Sequence, residues 1–224
     1  MQALSTPPLL ARALRPCLRR STSPRCASAS ASDASDAAAP RGRLLLLGGT
    51  GFVGTAVAER ALAAGFSVTS LSRRGRPPRG DDGWPPASVL ERVDWRKGDA
   101  TDPEAARSIL AEGGFRGVVH AVGMLLANDL NAYASGSGSV PSPGASYDAV
   151  TRQTASAAAA AAAELCTPPA GQAAPPFVFV SAAEAAWTFE APFEFLRLYL
   201  DAKRAVRCRC VNTHTSTSLL LARS

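Results

Sequence analysis

Residues 44–47 are four leucines in a row, too few for a helix and bounded by Arg43 and two glycines, which predicts a strand buried on both faces of a parallel sheet. The period then changes. Val53, Val57, Ala61 and Leu62 fall on one stripe of a helix over about 52–64, with Gly65 as its C-cap. Residues 66–71 (FSVTSL) read as a second strand and, after a Pro/Gly-rich loop over 76–86, residues 90–95 as a third. Thr101 or Asp102 caps the next helix, Pro103 takes its first position, Glu104 lies near its positive end, and Gly113-Gly114 stops it. A fourth strand covers 117–121 (GVVHA), a Gly/Ser/Pro-rich insertion covers 128–145, and a helix covers 147–166 with an alanine run over 157–163. Pro168 and Pro169 end that helix, residues 177–181 (FVFVS) form a fifth strand, and one more helix carries Tyr199 and Lys203. Strands that alternate with helices in this way predict an α/β doubly wound parallel sheet.

The turn after the first strand carries the chemistry. In GGTGFVG, Gly49, Gly51 and Gly54 give the spacing G-x-G-x-x-G, and Gly48, Gly51 and Gly54 give G-x-x-G-x-x-G. Glycines there permit a tight turn, close backbone approach to a pyrophosphate and close packing of helix on strand, the requirements of a Rossmann unit. Gly48, Gly49, Thr50, Gly51, Phe52, Val53 and Gly54 are therefore candidate contacts to a dinucleotide, with the helix N-terminus facing its phosphates. An acid about 20 residues past the glycines selects NAD, whereas arginine admits a 2′-phosphate. Here Arg73 and Arg74 follow the second strand, and no acid occurs between Glu59 and Asp81. NADP(H) is the expected cofactor, with NAD as the alternative. Asp99 and Ala100 after the third strand, and Ala121, Val122 and Gly123 after the fourth, complete the expected lining. Asp99 suits an adenine contact and a loop cap equally. The insertion at 128–145 lies on the ligand side of the sheet, as a substrate lid or a disordered loop.

Charge and composition narrow the class. The 224 residues carry a net charge of +6 and are 46% hydrophobic, enough for one α/β core. The surplus sits at the start: residues 1–32 contain Arg12, Arg15, Arg19, Arg20 and Arg25 and no acid, while the rest is nearly balanced. That distribution argues against a broad nucleic-acid face on the folded domain. Residues 1–40, rich in Arg, Ser and Ala, read as a disordered organellar transit peptide cleaved before about residue 41. Leu9, Leu10, Ala13, Leu14 and Leu18 on one helical face favour the mitochondrion, and the Ser/Ala-rich second half leaves the chloroplast as the alternative. No apolar run is long enough for a transmembrane helix. Cys166, Cys208 and Cys210, with two histidines in the chain, make neither a disulfide framework nor a metal site.

Tyr199 and Lys203 form a Y-x-x-x-K pair on one helical face. A lysine ammonium beside the phenol would lower its pKa and suit it to exchange a proton with a substrate oxygen while hydride passes to or from nicotinamide.

These pieces together, GGTGFVG, SVTSLSRRGRPP, VVHAVGMLLAN, SYDAVTRQTA, FVFVSA and YLDAKRA, make residues 43–207 resemble an atypical or extended short-chain dehydrogenase. More narrowly the chain resembles the mitochondrial family that includes the fungal coenzyme Q biosynthesis protein eleven and its plant and algal relatives. The resemblance implies a NAD(P)-binding domain over 41–207 and a role in ubiquinone or another prenylquinone pathway. It further implies Gly48, Gly51 and Gly54 at pyrophosphate, Arg73 at the ribose, Tyr199 as proton carrier and Lys203 at the nicotinamide ribose. His120 would line the cofactor through its backbone, its side chain a buried, hydrogen-bonded group. Ser181 is the candidate for polarising the substrate oxygen, but Ala182 and Ala183 follow it where such enzymes usually place that serine, and Thr151 stands where many relatives have asparagine. Each loss removes a charge-stabilising hydrogen bond, at about a hundredfold in rate. Past Arg207 the expected next strand and substrate loop are missing, so the fold reads as a Rossmann sheet truncated after strand five and its following helix. Residues 208–224 form an irregular tail of the kind a misjoined gene model produces.

Three functions fit this sequence: an NADP(H)-dependent oxidoreductase or auxiliary factor of quinone synthesis, a non-catalytic nucleotide-binding scaffold of a quinone-synthesis or respiratory complex at the inner membrane, and an organellar RNA-binding protein. The near-neutral domain disfavours the last.

Overall fold

The computed structural model describes residues 41–77, 91–134, 138–172, 175–188 and 190–212, with side chains through residue 207. Five parallel strands, β1 (Arg43–Leu47), β2 (Ser67–Ser72), β3 (Asp94–Lys97), β4 (Phe115–His120) and β5 (Phe177–Phe179), form one sheet in the order β3-β2-β1-β4-β5. The helices are α1 (Phe52–Ala63), α2 (Pro103–Ala111), the single turn α3 (Asn131–Ala134), α4 (Thr154–Leu165) and α5 (Glu194–Asn212). A π-helical turn, Asp148–Gln153, runs into α4, and a 3-10 turn, Ala183–Ala186, follows β5.

Side-chain alternation along the strands divides the core. Leu45 and Leu47 of β1 pack with Ile109 and Leu110 of α2, Ala158 and Ala162 of α4 and Val206 of α5, while Leu46 packs on the other face with Ala58 and Leu62 of α1. This is the doubly wound α/β sheet that the alternation of elements predicts. Arg107 on α2 and Glu164 on α4 tie that helical layer at its surface, with Nη1 donating to Oε2 over 2.7 Å.

Several local expectations shift. Of the stripe Val53, Val57, Ala61 and Leu62, the last three pack on the core beside Ala58, while Val53 is exposed and Gly54 and Thr55 are the buried residues of the first turn. Close contact with the glycine turn puts the small residues against the sheet. β3 begins at Asp94, whereas Glu91 and Arg92 are helical and Leu90 lies outside the described residues. As an edge strand it buries little, so its apolar residues mark the approach to the strand better than the strand itself. β5 ends at Phe179, not Ser181, and β4 starts at Phe115, whose ring is fully buried. Asp102 caps α2 as expected, accepting from the Glu104 amide at 3.0 Å with Pro103 in the first position. α5 continues through Cys208 to Asn212, where an irregular tail was expected to start. Residues 1–40, over which a transit peptide is expected, and residues 213–224 lie outside the described residues.

Candidate functional site

β1 and β4 are neighbours whose connections leave in opposite directions, which opens a crevice at the carboxyl ends of the strands. The glycine turn forms its floor. Gly48 has φ +84°, and a Cβ there would lie 2.9 Å from the Ala121 carbonyl oxygen, so the turn presses directly on the end of β4. A Cβ on Gly54 would lie 2.2 Å from the Gly48 carbonyl oxygen, which seats the first turn of α1 on the strand end. Thr55 locks that turn, its hydroxyl lying 3.0 Å from the Gly49 carbonyl and 2.9 Å from that of Gly51. The first turn of α1 carries no acidic residue, so its free amides present an uncompensated positive end.

The cavity above this turn has a volume of about 350 Å³. Gly48, Thr50, Gly51, Arg73, Asp99, Ala100, Ala121, Val122 and Gly123 line it, as the sequence leads one to expect. Gly49 and Gly54 stand behind the lining as packing glycines, and Phe52, Val53 and Arg74 do not line it. Phe52 and Val53 point outward at 67% and 40% exposure. Asp99 turns its carboxylate onto Thr101, accepting from the amide at 2.9 Å and the hydroxyl at 2.8 Å, which favours the loop-capping role.

Part of the insertion forms the roof. Ser139, Pro141, Ser142, Pro143, Gly144 and Ala145 line the cavity opposite the glycine turn, and Arg73 donates to the hydroxyls of Ser139 and Ser142, the latter over 3.3 Å. Arg74 donates to the Gly138 carbonyl. Buried Asn131 anchors the segment: its Oδ1 accepts from the Leu125 and Leu126 amides at 2.8 and 3.0 Å, and its Nδ2 donates to the Ser139 carbonyl at 2.9 Å. These contacts do not follow from the sequence, because a Gly/Ser/Pro run has no periodicity; Asn131, the second of two asparagines at the start of the segment, was the available signal.

Tyr199 and Lys203 come together below the other end of the cleft. Lys203 is buried, its Nζ donating to the Val180 carbonyl at 2.9 Å and lying 4.8 Å from the Phe179 ring centroid and 5.7 Å from that of Tyr199. A Cβ on cleft-lining Gly123 would sit 3.4 Å from that nitrogen. Tyr199 packs edge-on to Tyr147 at 6.5 Å, in a small cluster with Met124 and Ala202. The expected lowering of the phenol pKa is not what this geometry gives. Burial pushes Tyr199 up, with the Glu184 charge adding to it, while burial draws Lys203 down to about 8. The ammonium lies over the ring and gives its hydrogen bond to a carbonyl.

Ser181 and Thr151 are buried, their hydroxyls have no partner among the described residues, and neither lines the cavity. His120 is fully buried, between Phe179 at 5.5 Å and Phe177 at 6.4 Å. The Thr154 hydroxyl lies 2.6 Å from the Val150 carbonyl, to which it gives its proton, so His120 Nε2 is the donor across the 2.7 Å contact to Thr154, and Nδ1 is left unprotonated and unpartnered. Burial, and then the Lys203 charge, hold its pKa down to about 3. The unfolded chain binds this proton near pH 6.5 and the folded one near 3, so the contribution is intact above pH 6.5 and shrinks as pH falls through that window. The limiting slope is about 1.4 kcal/mol per pH unit. Urea unfolding from pH 7.5 to 4 is expected to show this loss in the wild type, and the difference curve against His120→Asn isolates it. Parallel curves for the two proteins would rule the buried imidazole out as the cause.

Cys166 is buried with its thiol pushed up to about 11, an unreactive state. Among the described residues no group of His, Cys, Asp and Glu could hold a metal ion, and no helix is long and apolar enough to cross a membrane.

Residues 44–135 match the model of the NAD dependent epimerase/dehydratase family. The chain has the Rossmann fold of those proteins. Its sheet superposes on the enzyme WbmG of Bordetella bronchiseptica, solved with NAD, at TM-score 0.54 with 17% identity over 80% of this chain and 52% of that one. UDP-glucose 4-epimerase from Brucella ovis, also solved with NAD, gives 0.53 and 14% over 80% and 51%. In sequence, MIOREX complex component 2 of Saccharomyces cerevisiae is 31% identical over 91 residues, 39% of this chain and 30% of that protein. An uncharacterized chloroplastic protein of Arabidopsis thaliana is 44% identical over 57 residues, 25% and 17% of the two chains. The chain spans about half the length of these solved structures and less than a third of these curated relatives.

Proposed function

We propose that this protein binds a nicotinamide dinucleotide with preference for NADP(H), and acts as an oxidoreductase or auxiliary factor in mitochondrial prenylquinone synthesis. The observation that supports it most is the cleft at the strand switch, where the Gly48 turn, the acid-free start of α1 and Arg73 converge. These are the shapes and charges that a pyrophosphate and a phosphorylated ribose require. When bound, the nicotinamide supplies a hydride donor or acceptor. Lys203, buried behind Gly123 rather than in the cavity lining, is the residue assigned here to the adjoining ribose, and Tyr199 in the same cluster is assigned the proton. The mitochondrial address rests on the leader and the resemblance; the chloroplastic relative keeps the plastid as the alternative.

A second reading, a nucleotide-binding scaffold without turnover, is favoured by the raised phenol pKa and by Ser181, whose hydroxyl is buried outside the cavity lining. A relative named as a component of a complex is in keeping with it.

Fluorescence titration of the full chain with NADPH and NADH tests the common core of both. Gly51 has φ −85° at the N-cap of α1, so Gly51→Asp carries no backbone strain and adds a carboxylate at the acid-free helix start. Tight NADPH binding, abolished in Gly51→Asp and weakened about tenfold or more in Arg73→Ala, is the expected result, from loss of a charge-assisted contact. A folded wild type that binds neither nucleotide would sink the cofactor assignment. Turnover lost in Tyr199→Phe then selects the enzyme, and binding without turnover selects the scaffold.

A further inference from the structure

We propose that Phe193, Phe195 and Leu198 form a subsite for the apolar substituent of an uncharged carbonyl or quinone substrate, whose reacting oxygen meets the Tyr199 phenol. The inference rests on the oxidoreductase reading and names its class of substrate. On α5, Phe195, Tyr199 and Ala202 recur at i, i+4 and i+7 and share one face, with Leu198 beside them. The inner end of this face is closed, because Tyr199 and Ala202 pack with Met124, Tyr147 and Val150. Met124 and Val150 also line the cleft. The outer end is open: Phe195 and Leu198 are 38% and 44% exposed. Phe193, 60% exposed, continues it, its ring stacked on that of Phe195 with centroids 5.8 Å apart and 14° between planes. An apolar track thus leaves the nucleotide cleft, passes the candidate proton carrier and ends on a flat aromatic surface.

Single exposed apolar side chains are ordinary, whereas a contiguous group marks a contact. The surrounding charges decide what that contact takes. Glu190 and Glu194 flank Phe193 and are exposed, and the Glu184 charge reaches Tyr199. The basic groups on the neighbouring elements are engaged or turned away. Arg197, two positions past Phe195, falls on the far side of the helix. Arg204 donates to the Ala185 and Trp187 carbonyls at 3.2 and 3.0 Å and to the Asp201 carboxylate at 3.2 Å. Arg152, on the π-helical turn, is paired with Asp148 at 2.6 Å, and Lys203 gives its proton to the Val180 carbonyl. Three carboxylates around an apolar surface repel phosphates and carboxylates, which disfavours a sugar nucleotide, a fatty acid or an anionic lipid surface, and a second copy would bring like charge against like. A neutral apolar group is the complement that remains. Because the surface begins one helical turn from the phenol, that group belongs to the molecule whose oxygen the phenol meets. Arg204, by fixing the segment after β5, keeps this wall preorganised.

Equilibrium dialysis of the full chain against three probes tests this: a ubiquinone with two isoprene units, the same dimethoxy-methyl-benzoquinone head without a chain, and UDP-glucose. The prenylated quinone is expected to bind about tenfold or more tighter than the bare head, from apolar area removed from water, and UDP-glucose to bind weaker than either. In Phe193→Ser/Phe195→Ser the two quinones are expected to come within about twofold of each other, with NADPH affinity unchanged, and Phe193→Leu/Phe195→Leu is expected to keep the difference. Tyr133→Ser, at an 86% exposed ring on α3, controls for general adhesion and should leave all affinities as they are. Equal binding of the two quinones by the wild type, an advantage that survives in the serine variant, an equal loss in Tyr133→Ser, or UDP-glucose bound as tightly as the prenylated quinone overturns the subsite. NADPH titration reads the dinucleotide assignment separately. NADPH binding without a quinone advantage overturns the subsite alone, and a quinone advantage without NADPH binding overturns the dinucleotide reading and leaves the subsite standing.

Discussion

Replacing Phe179 with alanine is expected to lower the unfolding free energy by about 3–5 kcal/mol, the cost of truncating a fully enclosed aromatic ring. The ring is completely buried at the end of β5, with His120 at 5.5 Å on one side and the Lys203 ammonium 4.8 Å from its centroid. Truncation removes the buried apolar area, leaves a cavity between two polar groups, and strips a desolvated ammonium of the ring face that partly compensates it. At about 2–4 °C per kcal/mol for a chain of this size, the midpoint should fall by about 10 °C. Phe195→Ala, at a ring 38% exposed on α5, serves as the control and should cost far less. A loss under about 1.5 kcal/mol at Phe179 would mean that the site collapses around the missing ring, contrary to the packing described.

Gly54→Ala is the second large effect, and two principles disagree about its sign. Helix propensity alone favours alanine by about 1 kcal/mol in α1. Packing opposes it: the new methyl would lie 2.2 Å from the Gly48 carbonyl oxygen and 2.7 Å from the Gly49 Cα, both backbone atoms of the turn. Neither can swing aside as a side-chain tip could. Separating α1 from β1 enough to relieve the clash should cost about 3 kcal/mol or more, so the net expectation is destabilisation by about 2 kcal/mol. Because that movement displaces the amides at the start of α1, nucleotide affinity should fall with stability, by at least about tenfold. Chemical denaturation and NADPH titration of the same variant check the two consequences. An alanine variant as stable as the wild type would show that the helix does not seat on the turn.

What could be read from the chain beforehand follows from the range of the forces involved. The buried strands β1, β4 and β5 and the glycine turn were legible because local patterns, continuous apolar runs and close-packed glycines, specify them. β3 starts later than expected because this edge strand, unlike β5 at the other edge, buries little, and Val93 is buried just before it. On α1 only Val53 departs from the expected stripe, because in the first turn contact with the glycine turn puts Gly54 and Thr55 inward. In the site, Gly48, Arg73, Asp99 and Gly123 reached the cavity as their positions implied. The roof over the cavity and the raised pKa of Tyr199 did not follow from spacing. Both depend on long-range placement: Arg73 meets Ser142 across 69 positions of chain, and the phenol responds to burial that no i, i+4 rule reports.

The division of the core along β1 bears on how the molecule comes apart. Leu45 and Leu47 belong to the layer under α2, α4 and α5, Leu46 to the layer under α1, and on β4 Val118 and Val119 divide in the same way. Neither layer can loosen without disturbing a strand that the other requires. The sheet centre is therefore the last part to open, and the two layers melt as one cooperative unit, so damage at the glycine turn is felt on the opposite face of the sheet.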